Sequence, residues 1–144
     1  MISRHRWGAP TSVALCLAFV ILSCVAPRPV SSSAQCVADS ASVNAVRGEA
    51  VRVFFDSRYP GFAPFRKKWG VIGDPSTLQT VTDPHICSAI AAAIGSPVTG
   101  QAKPRRVVVL RLGDLYYAQN ADAGDAEFVF DRSIKLLDFF IVPS

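Results

Sequence analysis

The sequence predicts an α+β fold in which one main helix packs on an antiparallel sheet of about four strands. Residues 106–142 contain four short apolar runs separated by three turn signals, a pattern typical of a β meander. Before this segment, residues 83–94 carry isoleucine and alanine at helical spacing, which predicts an amphipathic helix. A helix with one apolar stripe has to bury it, and the sheet offers the matching surface.

The first turn of the meander predicts its register. Gly113-Asp114 separates two β-rich runs, and glycine at the first central position is what a two-residue type II′ hairpin turn requires. In that register Leu112 faces Leu115, and Val109 faces Ala118. Both faces of the predicted hairpin are therefore mostly apolar.

The main helix has start and stop signals that agree with each other. Thr82 or Asp83 can cap its first N–H groups, and Pro84 suits its first turn. Gly95 suits a left-handed residue after the last turn. We therefore expect a helix from Asp83 to Ile94.

One helix can cover only one face of the predicted sheet. The opposite face carries Val107, Val109, Tyr116 and Ala118. These residues would remain exposed unless residues 43–69 cover them. Because exposed apolar patches on soluble proteins usually mark a partner or ligand site, we expect them to form an interaction surface.

The segment 43–55 fits two patterns. One set of its apolar residues alternates as in a strand, and another keeps helical spacing. The first set is Val51, Val53 and Phe55, and the second is Val43, Val46, Ala50 and Phe54. Gly48 weakens the helix, so a strand near the end of the segment is slightly favoured. Residues 62–69 favour a short helix that Gly70 ends.

The beginning of the chain has the layout of a secretory signal peptide. Arg4 and Arg6 form a basic start, and an apolar run follows over residues 13–26. The run is short for a membrane span, which needs about 20 apolar residues. Small residues suit cleavage between Ala34 and Gln35. The predicted organisation is a signal peptide over 1–34, a linker over 35–42 and a single small α+β domain over 43–144.

A second cleavage site competes with the first. Residues 21–24 resemble a bacterial lipobox, in which the cysteine, here Cys24, becomes lipidated and tethers the protein to a membrane. Leu22 is bulky for its place in that pattern. We therefore expect a secreted or periplasmic protein that contacts a membrane only if Cys24 is lipidated.

The net charge of +4 comes mainly from the predicted leader. Without Arg4, Arg6 and Arg28, the basic and acidic residues nearly balance. A nearly neutral protein gives no general reason to expect nucleic acid as a partner. Two basic clusters, at 66–68 and 103–106, are interpreted as solvated loops and a strand entrance.

Two of the four cysteines, Cys36 and Cys87, lie after the predicted leader. An even pair in an exported domain predicts a disulfide. A bridge over so long a loop stabilises a domain by about 4 kcal/mol in the chain-entropy model. The alternative is a buried Cys87 with Cys36 free in a frayed terminus.

No pattern predicts a catalytic residue, a cofactor or a metal ion. His85 is the only histidine after the leader, and it lies two positions from Cys87, so the two side chains point to different faces of a helix. Four oxygen ligands stand close together at Asn120, Asp122, Asp125 and Glu127. Their spacing does not match a calcium loop, and a hydrophilic hairpin loop is the favoured interpretation. The sequence contains no nucleophile elbow, P-loop, C-x-x-C pair or H-E-x-x-H motif.

Several short motifs occur in order along the chain: Arg66 to Gly70, Val81-Thr82-Asp83 with Cys87 in the helix, Gly113-Asp114-x-Tyr116, and Phe130-Asp131. This order resembles a group of small exported bacterial proteins without an assigned activity. The resemblance spans Val53 to Phe140. It implies one folded unit, and it supplies no catalytic residue that could be assigned to this chain.

We therefore expect an exported, non-catalytic binding or envelope-associated module that takes a protein, a lipid or a small apolar ligand. The predicted helix on a sheet resembles cystatin-like modules in outline. Two alternatives stay open. One is a small hydrolase that uses aspartate carboxylates, and the other is a lipid-tethered structural protein.

Overall fold

The computed structural model describes residues 33–69, 74–124 and 126–141. Within these residues the chain forms three α-helices: α1 (Ser40–Phe54), α2 (Ala63–Trp69) and α3 (Pro84–Ile94). It also forms six strands: β1 (Gln35–Cys36), β2 (Gln79–Thr80), β3 (Arg106–Leu112), β4 (Leu115–Asn120), β5 (Ala126–Phe130) and β6 (Leu136–Ile141). The predicted signal peptide and the competing site at Cys24 lie outside the described residues, except for Ser33 and Ala34.

The strands form one sheet in the order β1-β3-β4-β5-β6, and β2 also pairs with β3. Strands β3 to β6 are the predicted antiparallel meander. β1 runs parallel to the start of β3, and β2 runs antiparallel to its end. The predicted α+β fold is confirmed. The sheet has more than the expected four strands because β1 and β2, at two residues each, are too short to show an alternating pattern.

The first hairpin has the predicted register. Leu112 pairs with Leu115, and Val109 pairs with Ala118. Gly113 has a φ of 54°, which is the left-handed region required at the first central position of a type II′ turn.

Helix α3 begins as predicted. Asp83 is its N-cap, and the Asp83 carboxylate accepts a hydrogen bond from the His85 N–H at 2.8 Å. The helix ends at Gly95, but Gly95 has a φ of −75°, so the left-handed conformation predicted there is wrong. A Cβ atom on Gly95 would lie 2.5 Å from the Cβ of Lys103. The close approach of the following loop, and not the backbone conformation, requires glycine here.

Residues 40–54 form helix α1, so the strand favoured near the end of 43–55 is wrong. The Asp39 carboxylate caps the helix by accepting a hydrogen bond from the Ser42 N–H at 2.9 Å. The buried side chains are Val43, Val46, Ala50, Val53 and Phe54. Gly48 faces open space, so it costs only its weak helix propensity. The segment 35–42, predicted to be a linker, contains β1 and the start of α1.

Helices cover both faces of the sheet. On one face, Val107, Val109 and Ala118 are 0% exposed and Tyr116 is 9% exposed. All four pack in the core cluster that contains the buried residues of α3, which are Cys87, Ile90, Ala91 and Ile94. The predicted interaction surface of Val107, Val109, Tyr116 and Ala118 is therefore wrong. Helix α1 packs on the opposite face, against Val108, Leu110, Leu112, Tyr117 and Val129.

The predicted disulfide is confirmed. Cys36 and Cys87 are bonded, and their Cα atoms lie 5.5 Å apart. The bridge joins β1 to α3, and Cys87 is fully buried. Among the helices of residues 33–69, 74–124 and 126–141, none has the length and apolar character needed to cross a bilayer.

Candidate functional site

A groove lies between helix α2 and the edge strand β6. Phe62, Phe65 and Phe140 supply its apolar lining, and Lys68 and Asp138 supply its charges. Gly61 and Pro64 complete the lining. The groove has a volume of about 340 Å³, which falls in the range of small-molecule sites.

Helix α2 is positioned by Arg66. The Arg66 guanidinium donates hydrogen bonds to the carbonyl oxygens of Val53 at 3.0 Å and Tyr59 at 3.2 Å. These bonds hold α2 against the end of α1. Phe65 and Lys68 are three residues apart on α2, so both lie on the side that lines the groove. The basic cluster 66–68 therefore contains one structural arginine and one lysine at the groove.

Phe140 connects the groove to the core. Its ring centroid lies 5.5 Å from that of Phe62, 6.1 Å from that of Phe65 and 6.4 Å from that of Tyr117. Phe54 of α1 contacts both Phe65 and Tyr117, with centroids 5.4 Å apart in each case. The apolar wall of the groove is thus the outer edge of a continuous aromatic cluster.

The charged residues of the groove have opposite signs. The Lys68 ammonium lies 4.6 Å from the centroid of the Trp69 ring, in a cation–π contact. The Asp138 carboxylate accepts a hydrogen bond from the Phe139 N–H at 2.9 Å. A ligand with an apolar body and one charged group would match this lining.

A buried carboxyl group lies beside the groove wall. Glu127 is the cross-strand partner of Phe140, so both side chains are on the same face of the sheet. Glu127 is 0% exposed. The Tyr117 hydroxyl donates a hydrogen bond to its Oε2 atom, and no other described residue hydrogen-bonds its Oε1 atom.

Burial raises the pKa of Glu127 to about 8, because an ionised carboxylate loses its hydration in the core. The negative charge of Glu49 raises this pKa further, and the positive charge of Arg52 opposes the shift. Glu49 and Arg52 pair with each other at 2.5 Å on α1. Glu127 therefore holds its proton at neutral pH. Because it is enclosed, it has no access to a substrate.

The oxygen-bearing residues weighed as a calcium loop do not converge where the structure describes them, in agreement with the favoured interpretation as a hairpin loop. Asp122 accepts hydrogen bonds from the N–H groups of Arg105 and Arg106, each at 3.2 Å. Glu127 bonds Tyr117 in the core instead. Asp125 lies outside the described residues. Within the described ranges, no group of three His, Cys, Asp or Glu side chains is placed to hold a metal ion.

Two of the aspartates that a hydrolase could use, Asp56 and Asp131, have local structural roles. Asp56 pairs with Arg58 at 2.7 Å, and this bond lowers the Asp56 pKa to about 2. Asp131 accepts hydrogen bonds from Ser133 and from the Lys135 N–H, which lower its pKa. Both carboxylates are ionised at neutral pH, so neither has a proton to donate as a general acid.

The other predicted residues also have structural positions. His85 is exposed at the start of α3, beside the Asp83 cap. Cys87 is oxidised in the disulfide and offers no thiolate.

No family model matches this chain, and no curated protein or solved structure matches it either.

Sequence reasoning did not identify the groove. Its aromatic walls come from Phe62 and Phe65 on one side and Phe140 on the other, and these segments are distant in the chain. Two local signals pointed towards it. Asp138 interrupts the apolar run of β6, and Glu127 lies in a strand that is otherwise apolar.

Proposed function

We propose that this protein is an exported, non-catalytic binding module, and that the groove between α2 and β6 binds a small amphipathic ligand. The observation that carries the proposal is the aromatic lining of Phe62, Phe65 and Phe140 next to the charges of Lys68 and Asp138. Apolar walls with few polar groups are typical of small-molecule sites.

The size of the groove favours a small ligand over a protein partner. A stable protein interface buries about 800 Å² on each side. The groove is a concave site of about 340 Å³ lined by seven residues. A fatty acyl or aromatic group with one charged end has dimensions of this order.

The carboxyl groups support a binding role over hydrolysis. Glu127, which carries a proton at neutral pH, is enclosed in the core, and Asp56 is held ionised by Arg58. A general acid has to hold a proton and also reach the substrate. Neither residue meets both conditions.

Export is part of the proposal. The Cys36–Cys87 disulfide supports it, because such bonds persist in oxidising compartments. A cystatin-like outline, with α3 packed on the meander, is also proposed. The resemblance to small exported bacterial proteins would suit a secreted module and supplies no ligand.

The test uses an apolar fluorescent anion, 1-anilinonaphthalene-8-sulfonate, and the oxidised protein. Phe140→Ala is compared with Phe139→Ala, because the two residues are adjacent on β6 and point to opposite faces. Phe140 lines the groove, whereas Phe139 stacks on Phe128 and is 39% exposed. We expect Phe140→Ala to weaken probe binding at least tenfold and Phe139→Ala to change it less than twofold.

Near-ultraviolet circular dichroism of each variant checks that the native packing is retained, since this probe also binds partly unfolded proteins. Equal loss of binding in both folded variants would contradict the groove as the site. Loss in Phe139→Ala alone would place the site on the α3 side of the sheet and would reject the proposal.

A further inference from the structure

We propose that Glu127 is a proton-dependent switch for the groove: the protonated carboxyl group keeps Phe140 in its place, and ionisation displaces this wall and weakens ligand binding. This inference rests on the proposed function, since it concerns the regulation of the same groove. Its basis is the side-by-side position of Glu127 and Phe140 on neighbouring strands.

The geometry links the buried acid to the groove in two ways. Glu127 is directly opposite Phe140 across the β5–β6 pairing. Tyr117, which donates its hydroxyl hydrogen bond to Glu127, also contacts the ring of Phe140 at 6.4 Å between centroids. A movement of the Glu127 carboxyl group therefore acts on Phe140 directly and through Tyr117.

The surroundings of Glu127 suit a neutral acid and not a carboxylate. Oε2 has the Tyr117 hydroxyl as its donor, and Oε1 has no partner among the described residues. A buried carboxylate needs several donors or a paired cation. An ionised Glu127 would therefore have to gain water or a new partner.

The charged groups around Glu127 come from α1 and β6. Glu49 of α1 repels the ionised form, and Arg52 attracts it. Arg52 is already engaged, by Glu49 at 2.5 Å and by the Tyr59 ring at 5.2 Å. Asp138 of β6 is opposite Val129, two residues from Glu127 along β5 on the same face.

Among the aromatic residues near Glu127, Phe140 is the one that is most easily displaced. Phe54 and Tyr117 are almost completely buried, whereas Phe140 is only partly buried. The rings that pack on its outer side are Phe62, just before α2, and Phe65, within α2. This helix has seven residues and no fully buried side chain. Displacing Phe140 therefore disturbs fewer contacts than moving α1 or β4, and it opens a route for water from the groove to Glu127.

The sign of the effect follows from linkage. A ligand that packs on Phe140 binds the protonated state more tightly, so its apparent affinity falls as Glu127 ionises. By reciprocity the ligand raises the affinity of Glu127 for its proton. If only the protonated state binds, the apparent affinity falls about tenfold one pH unit above the pKa of Glu127, which is about 8.

The experiment measures binding of 1-anilinonaphthalene-8-sulfonate between pH 6 and pH 9 for the oxidised wild-type protein and for Glu127→Gln. The sulfonate of the probe does not titrate in this range. We expect an approximately tenfold loss of affinity in the wild-type protein and a change of less than twofold in Glu127→Gln. Glu127→Met, a neutral side chain of similar length, is measured alongside in case the glutamine variant does not fold.

Each outcome decides one question. Binding that is independent of pH in the wild-type protein overturns the switch and leaves the groove as a binding site. A pH-dependent loss that persists in either folded variant assigns the effect to another group and also overturns the switch. No binding at pH 6, where Glu127 is protonated, rejects the proposed function itself. If neither variant folds, ¹³C NMR measures the pKa of the Glu127 carboxyl group in the wild-type protein with and without the probe. A pKa that the probe does not raise overturns the switch.

Discussion

The Tyr117 hydroxyl donates a hydrogen bond to Glu127 across strands β4 and β5, in a part of the core where both side chains are completely buried. Tyr117 is opposite Val129, so Glu127 is its diagonal neighbour on the same face. The bond satisfies the hydroxyl group and one oxygen of the acid. One hydrogen bond is too little to stabilise a negative charge on Glu127, so burial is the largest cause of its raised pKa.

This arrangement makes the stability of the fold depend on pH. An unfolded glutamate ionises near pH 4.5, whereas folded Glu127 keeps its proton to about pH 8. The folded state therefore binds more protons between these values, and the free energy of unfolding falls as the pH rises through this window. We expect Glu127→Gln to match the wild-type stability near pH 4.5 and to exceed it by roughly 3 kcal/mol at pH 7.

Urea unfolding of both proteins at pH 4.5, 7 and 9 measures this difference. Tyr117→Phe is a useful companion variant, because it removes the donor to Glu127 and keeps the aromatic ring. A difference between Glu127→Gln and the wild-type protein that stays constant with pH would contradict the raised pKa.

The disulfide is expected to contribute a large part of the stability. Cys36 and Cys87 are 51 residues apart, and the chain-entropy model assigns such a loop about 4 kcal/mol. We expect the double variant Cys36→Ala/Cys87→Ala to unfold at a much lower urea concentration than the oxidised protein. The wild-type protein in a reducing agent is the control, and it should approach the double variant. Identical midpoints for all three samples would show that the bridge contributes nothing.

Cleavage between Ala34 and Gln35 stays a prediction. In this fold, such cleavage would lower the stability of the domain. Ala34 is 2% exposed in the core cluster under α3, and its carbonyl oxygen accepts a hydrogen bond from Ser88 at 3.4 Å. A chain that starts at Gln35 loses these contacts. We expect it to be about 1 kcal/mol less stable than a chain that starts at Ser33. Thermal unfolding of the two chains tests this, and equal melting temperatures would show that Ala34 is dispensable.

The two charges of the groove should affect an anionic probe in opposite directions. Lys68→Gln removes an attractive charge, and Asp138→Asn removes a repulsive one. Exposed charges contribute up to about 1 kcal/mol, so we expect a change of roughly threefold in each case, weaker for the first and tighter for the second. Lys67→Gln is the matched control, because Lys67 is exposed on α2 outside the groove lining. Equal effects of Lys67→Gln and Lys68→Gln in a fluorescence titration would indicate only a general charge effect.

Much of the fold could be predicted from local patterns. Alternation and a glycine turn predicted the β3–β4 register, and capping signals at Asp83 and Pro84 predicted the start of α3. These features depend on residues that are close in sequence. Hydrophobic spacing does not predict the structure of segment 43–55, because its residues fit both the strand period and the helix period. Only contact with the second face of the sheet favours the helix.

Local sequence patterns are sufficient to predict the meander, the main helix and the two cysteines that could pair, since each depends on backbone geometry or on counting residues of one kind. Packing between distant segments decided that α3 covers Val107 and Val109, which removes the expected patch there, and that α1 covers the second face of the sheet. It also decided that Phe140 meets Phe62 and Phe65 in a groove beside the buried acid of Glu127. Burial and contact between distant segments depend on how whole layers pack. The spacing of residues along one segment does not predict that packing.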